Sequence, residues 1–123
     1  MTTPLLTMTI PQMRATSINR WSRMHWAERK RHRSDVFMLI RSSLPWDVVN
    51  CNGWPAESPV RLRITATMRP PLLDADNVTL KDIVDSLCGW VVFDDDARYV
   101  TEVTPVVKKG REDKVTVEVL TSD

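Results

Sequence analysis

The sequence predicts an α+β fold, a single layer of mixed or antiparallel sheet with two helices packed on it, in the order β-α-β-α-β-β. Three observations carry this. Val60, Leu62, Ile64, Ala66 and Met68 alternate with Arg61, Arg63, Thr65, Thr67 and Arg69, the period of two that a half-buried strand requires. Val36, Phe37 and Ile40, and later Leu80, Ile83, Val84 and Leu87, fall at helical spacing. Val115, Val117 and Val119 alternate again. A chain of 123 residues is expected to form one domain, 1–123, around one modest core.

In order along the chain, Leu6 to Ile10 alternates weakly and stops at Pro11, a first strand. Residues 11–20 read as loop. A helix is expected from about Ser22 to Ser43, ended by Pro45, with Val36, Phe37 and Ile40 on the core and Arg23 to Arg33 exposed or facing a ligand. Residues 44–58, with Pro45, Asn50, Asn52, Gly53 and Pro55, read as loop. The strand from Val60 ends at Arg69-Pro70-Pro71. An acidic loop leads into a helix over 78–88, terminated by Gly89. Trp90 to Phe93 reads as a short strand, Asp94 to Ala97 as a turn, and Tyr99 to Val107 as a strand interrupted by Pro105. Residues 108–113 read as a hairpin loop before the last strand.

Composition excludes several classes. No apolar run is long enough to span a bilayer, and Met1-Thr2-Thr3-Pro4 lacks the basic flank of a secretory signal. Cys51 and Cys88 show no metal spacing with His25 and His32, so free thiols in a reducing cytoplasm are expected. The only glycines are Gly53, Gly89 and Gly110, so there is no glycine-rich phosphate loop and no organic cofactor is expected. The two histidines suggest no Ser-His-Asp or Cys-His arrangement.

Net charge is only +1, but its distribution is uneven. Between Arg14 and Arg41 eight Lys/Arg face two acids; between Asp74 and Glu102 eight acids face Lys81 and Arg98. Basic segments attract phosphates, and clustered carboxylates repel them unless a cation intervenes. Asp74 and Asp76 lie two apart in an expected extended loop, so both carboxylates can point at one ion. Asp95 or Asp96 supplies a third if the chain after Gly89 returns alongside. Magnesium favours such hard oxygen donors. A calcium loop starting at Asp94 fails, since its sixth and twelfth positions hold Tyr99 and Pro105. A sugar-nucleotide transferase with an Asp-x-Asp site needs a larger domain.

The segment Asp74-Ala75-Asp76-Asn77, Lys81, Asp85-Ser86-Leu87 and Val91-Val92-Phe93-Asp94-Asp95 resembles the signature of RusA-type Holliday junction resolvases of phages and prophages. The similarity is clearest over residues 70–109; Ser17-Ile18-Asn19-Arg20 and the basic stretch after it are similar to the family's N-terminal region. The resemblance implies a homodimeric endodeoxyribonuclease of the bacterial cytoplasm that cuts four-way junctions with Mg2+, Mn2+ being a possible substitute. It implies metal binding by Asp74, Asp76 and Asp95, or Asp96 in its place, with Lys81 assisting at the phosphate. The family pattern has two residues between Asn and Lys, whereas here Val78-Thr79-Leu80 stand between; Lys81 keeps its place only if the extra residue sits in the loop. Arg20, Arg23, Arg29, Lys30 and Arg33 are the expected DNA contacts, with Lys108, Lys109 and Arg111 a second group. Cleavage of flaps or forks, or non-catalytic binding of branched DNA, are the alternative readings.

Overall fold

A computed structural model describes residues 3–122; Met1 and Thr2, part of the stretch read above as lacking a signal, lie outside the described residues. The elements are β1 (Leu6–Pro11), α1 (Ile18–Arg23), α2 (Trp26–Ser42), α3 (Trp46–Val49), β2 (Val60–Met68), a 3₁₀ turn (Ala75–Asn77), α4 (Lys81–Leu87), β3 (Val100–Lys109) and β4 (Lys114–Thr121). The fold is α+β, with one mixed four-stranded sheet in the order β1-β4-β2-β3. β4 runs antiparallel to β1 and β2, and β3 runs parallel to β2. The parallel pair follows from α4 lying in the connection between its strands.

Alternation places Leu62 and Ile64 of β2 and Val115, Val117 and Val119 of β4 on one buried face. Val36 and Ile40 of α2 and Ile83 and Leu87 of α4 close that face into the main core, and Ala15, Ala66, Met68 and Val78 form a smaller second cluster. Arg61, Arg63, Thr65 and Thr67 occupy the opposite face, where Arg63 and Glu118 pair at 3.8 Å across the β2–β4 ladder. Phe37, expected in the core, is 37% exposed, because Val36 and Ile40 fill the stripe that meets α4.

The expected helix over 22–43 is two helices. Ser17 caps α1 early, its Oγ accepting from the Arg20 N–H at 3.0 Å. Met24 and His25 are extended, and His25 Nδ1 accepts from the Ala27 N–H to start α2. Arg29 seals the break by donating to the Trp21 and Ser22 carbonyls at 3.2 and 3.0 Å, groups that a helix end leaves without partners. The loop expected over 44–58 contains α3, which Pro45 starts rather than merely ending α2. The described residues thus hold four α-helices, not two.

Trp90 to Phe93 is not a strand. Gly89 at φ +87° turns the chain, the Trp90 and Val91 N–H groups bond the Leu87 carbonyl, and among the described residues the only ladder contact is an isolated Cys88–Val92 bridge. Val91 and Val92 are fully buried under the end of α4, which accounts for the apolar run. Pro105 does not interrupt β3, because β3 is the sheet edge, where a missing N–H can face away from the ladder.

Residues 108–113 are not a hairpin: Lys108 and Lys109 belong to β3, and β2 lies between β3 and β4. The connection crosses the end of β2, where the Gly110 N–H donates to the Met68 carbonyl at 3.0 Å and a Cβ on Gly110 would collide with Thr67 Cγ2. No helix among the described residues is long and apolar enough to cross a membrane.

Candidate nucleic-acid and metal site

Asp74 stands at the start of the 3₁₀ turn and Asp76 inside it, both exposed. Asp74 keeps the expected extended backbone, but Ala75–Asn77 turn as a 3₁₀ helix, so strict alternation does not run through Asp76 and does not by itself aim the two carboxylates together. Asn77 Oδ1 accepts from the Asn19 N–H at 3.4 Å, Val78 bridges Ser17, and the Thr79 N–H donates to the Thr16 carbonyl at 2.9 Å. The two motif segments singled out in the sequence, around Ser17 and around Asp76, are thereby neighbours. Val78 and Thr79 lie outside the helix, Leu80 stands at its N-cap and α4 begins at Lys81.

Lys81 lies 3.4 Å from Asp85, its (i, i+4) neighbour on α4. Lys81, Asp85 and Asp95 line one hollow of about 520 Å³ with an apolar floor. The three consecutive aspartates have different surroundings. Asp94 Oδ1 accepts from the Asp95 N–H at 2.8 Å. Asp96 is held by Arg98 through the guanidinium at 3.0 and 2.8 Å and the backbone N–H at 2.9 Å, which keeps its carboxyl below the usual range. Asp95 makes no side-chain hydrogen bond among the described residues. Burial, reinforced by Asp95, Asp94 and Asp85, pushes the Cys88 thiol up to about 11, so these acids share one field at the end of α4.

Exposed carboxylates are chemically suited to magnesium, which takes one or two of them and completes its shell with water and phosphate oxygens. A ready-made cage is a different matter: among the described residues no group of three or more His, Cys, Asp or Glu side chains stands where it could hold one metal ion.

The basic candidates divide into three places. Arg29, Lys30 and Arg33 line a groove with Trp21, Trp26 and Lys81. Arg29 is partly committed there, since its guanidinium also stacks 4.2 Å from the centre of the Trp21 ring. Arg20 and Arg23 line a separate hollow with Glu28. Lys108 and Lys109 are exposed at the end of β3, and Arg111 shares a third hollow with Arg69.

One connected set escaped the sequence reading. His32 Nδ1 lies 2.6 Å from Asp82 Oδ2, His32 Nε2 lies 2.9 Å from Thr16 Oγ1, and the Trp21 Nε1–H donates to Asp82 Oδ2 at 3.2 Å. A histidine does stand between a hydroxyl and a carboxylate here, the hydroxyl being that of Thr16 rather than of a serine. The signal was present: His32, Val36 and Ile40 are spaced by four and share the stripe that meets α4. No protein-family model matches the chain, and no curated protein matches it.

Proposed function

We propose that this protein is a magnesium-dependent endodeoxyribonuclease of branched DNA, resolving four-way junctions by paired nicks in the bacterial cytoplasm. One observation carries the reading. The hollow holding Asp95 and the groove holding Arg29, Lys30 and Arg33 share Trp21, Lys81 and Asp85, so one acidic candidate, Asp95, stands next to cations suited to phosphate.

Asp74, Asp76 and Asp95 are the proposed ligands; since no three acidic side chains among the described residues stand round one point, one or two of them would hold the cation and water and phosphate oxygens would complete its shell. Asp95 is preferred over Asp96 because Arg98 engages both oxygens of Asp96. When bound, the cation lowers the pKa of a water and stabilises the leaving oxygen. The chain's own contribution is positional and electrostatic. Lys81, exposed on the first turn of α4, sets positive charge beside the phosphate. Lys30, Arg33 and the free edge of Arg29 hold the flanking backbone, with Arg20 and Arg23 extending that contact and Lys108, Lys109 and Arg111 supplying a further one. A two-fold dimer would set one site on each of two opposed strands.

The test is cleavage of a labelled synthetic four-way junction, with flaps, forks and duplex as comparisons. Asp76→Asn and Asp95→Asn should each lower magnesium-dependent cleavage at least about a hundredfold while junction binding persists, in line with the loss of a metal oxygen that carries transition-state charge. Asp96→Asn should cost much less. A second reading, a non-catalytic module for branched DNA, is favoured by the lack of a three-ligand group among the described residues. Binding without cleavage in magnesium or manganese would establish it.

A further inference from the structure

We infer that Trp21 is a fixed stacking platform for an unstacked nucleobase, which enters the hollow between the cationic groove and Asp95. The inference rests on the branched-DNA reading and names what that site takes besides phosphate.

Trp21 is half-buried and borders both the groove and the hollow. Its indole is held on two sides. The ring N–H donates to Asp82, and the Arg29 guanidinium covers one face at 4.2 Å. Asp82 is 6% exposed and is itself fixed by His32, which Thr16 fixes in turn. An aromatic side chain immobilised this far loses little further freedom when a ligand arrives.

The hollow beside it fits a flat aromatic ligand with polar edges. Its floor is Ile18, Val78, Leu80, Val84 and Val103, of which Ile18 is 42% and Val103 36% exposed. Its rim carries Asp85, whose carboxylate can accept from an exocyclic amine, beside Lys81 and the proposed metal ligand Asp95. Lys30, Arg33 and Lys81 next to it attract the phosphates flanking that base, which supplies the charge complementarity. A base paired within a continuous duplex cannot reach such a hollow, whereas one at a branch point is already partly unstacked.

The test crosses deletion of the base with deletion of the ring. The full chain is titrated, with EDTA present to prevent cleavage, against four-way junctions in which each nucleotide within three of the branch is replaced in turn by an abasic one. At one or more positions the wild type should lose about tenfold in affinity, the size of one base–aromatic stack. Trp21→Ala should bind the intact junction about tenfold more weakly and be indifferent to the same abasic replacement. Trp21→Phe keeps a ring and should keep most of the discrimination, which separates stacking from folding. Equal loss by Trp21→Ala on intact and abasic junctions, or no sensitive position for the wild type, overturns the platform while leaving junction binding in place. Trp21→Ala that binds DNA normally but no longer dimerises overturns it too, by assigning the hollow to a second copy. A wild type that binds no junction refutes the branched-DNA reading and the platform together.

Discussion

His32 Nδ1 and Asp82 Oδ2 lie 2.6 Å apart at the contact between α2 and α4, and that pair ties the basic helix to the helix that begins with Lys81. Asp82 is buried and also accepts from Trp21 Nε1, so one carboxylate serves two donors from two other helices. Asp82→Ala leaves both donors without an acceptor. It should destabilise the protein by about 2–6 kcal/mol in urea denaturation, since each of the two deprived donors costs roughly 1–3 kcal/mol. Asp82→Asn keeps an acceptor oxygen and should cost less. In a double-mutant cycle, Trp21→Phe with Asp82→Ala should be less than additive, because both remove the same bond.

Gly110 is demanded by what lies beneath it. The β3–β4 connection crosses β2, and a Cβ at this position would meet Thr67 Cγ2, the end of a short β-branched side chain with little freedom on a strand. Gly110→Ala should therefore lower stability by about 1–3 kcal/mol, the usual cost of overpacking. Thr67→Ser removes the offending methyl and should recover most of that loss in the double variant. Thermal and urea denaturation of the three variants check this. A Gly110→Ala protein as stable as the wild type would mean that the crossing loop stands further off β2.

The sheet and its core face were legible because period two at Val60–Met68 and at Val115–Val119 admits only one buried side. The strand order was not. A short Gly-containing loop looks the same whether it joins neighbouring strands or steps over one, and only the long-range pairing of β4 with β1 decides. The break between α1 and α2 was hidden because its supports are side chains acting at a distance: Ser17 capping one end, His25 starting the next helix, Arg29 reaching back to two carbonyls. Within the candidate site, the acidic residues stood out by spacing. The buried Asp82 did not, because it is one of eight acids between Asp74 and Glu102 and its burial depends on His32, fifty residues away.

Asp113 gives a dependence on pH whose sign is fixed. Its carboxylate accepts the Arg69 backbone N–H at 3.0 Å and meets the Arg69 and Arg14 guanidinium groups at 3.2 and 3.1 Å, so its carboxyl is held below the usual range. A group whose pKa falls on folding stabilises the fold above its unfolded value, about 3.9, and that contribution disappears as pH drops through the folded value. Asp113→Asn should thus melt slightly below the wild type at neutral pH, and the two melting temperatures should converge under acid conditions. Parallel melting curves across that range would show that the clamp contributes nothing. Arg14 also donates to the Arg69 and Pro71 carbonyls, so Arg14→Ala should lower stability at every pH, including where Asp113 is protonated.

Cys88 can report on a cation at the acidic residues without any cleavage assay. Its thiol is pushed up to about 11, first by burial and then by Asp95, Asp94 and Asp85. At pH 8 that leaves a thiolate fraction on the order of one in a thousand, and the thiolate is the species that alkylates. Exposed Cys51 should consequently react with iodoacetamide well before Cys88. In a Cys51→Ser background, magnesium bound at Asp95 would cancel part of the negative field, lower the Cys88 pKa and speed its alkylation several-fold. Chelation should reverse the effect, and Asp95→Asn should reproduce the acceleration while abolishing its dependence on magnesium. Burial sets a floor under the pKa that the cation cannot remove, so the rate should rise without reaching that of an exposed thiol. An alkylation rate indifferent to saturating magnesium would place the cation elsewhere than at Asp95.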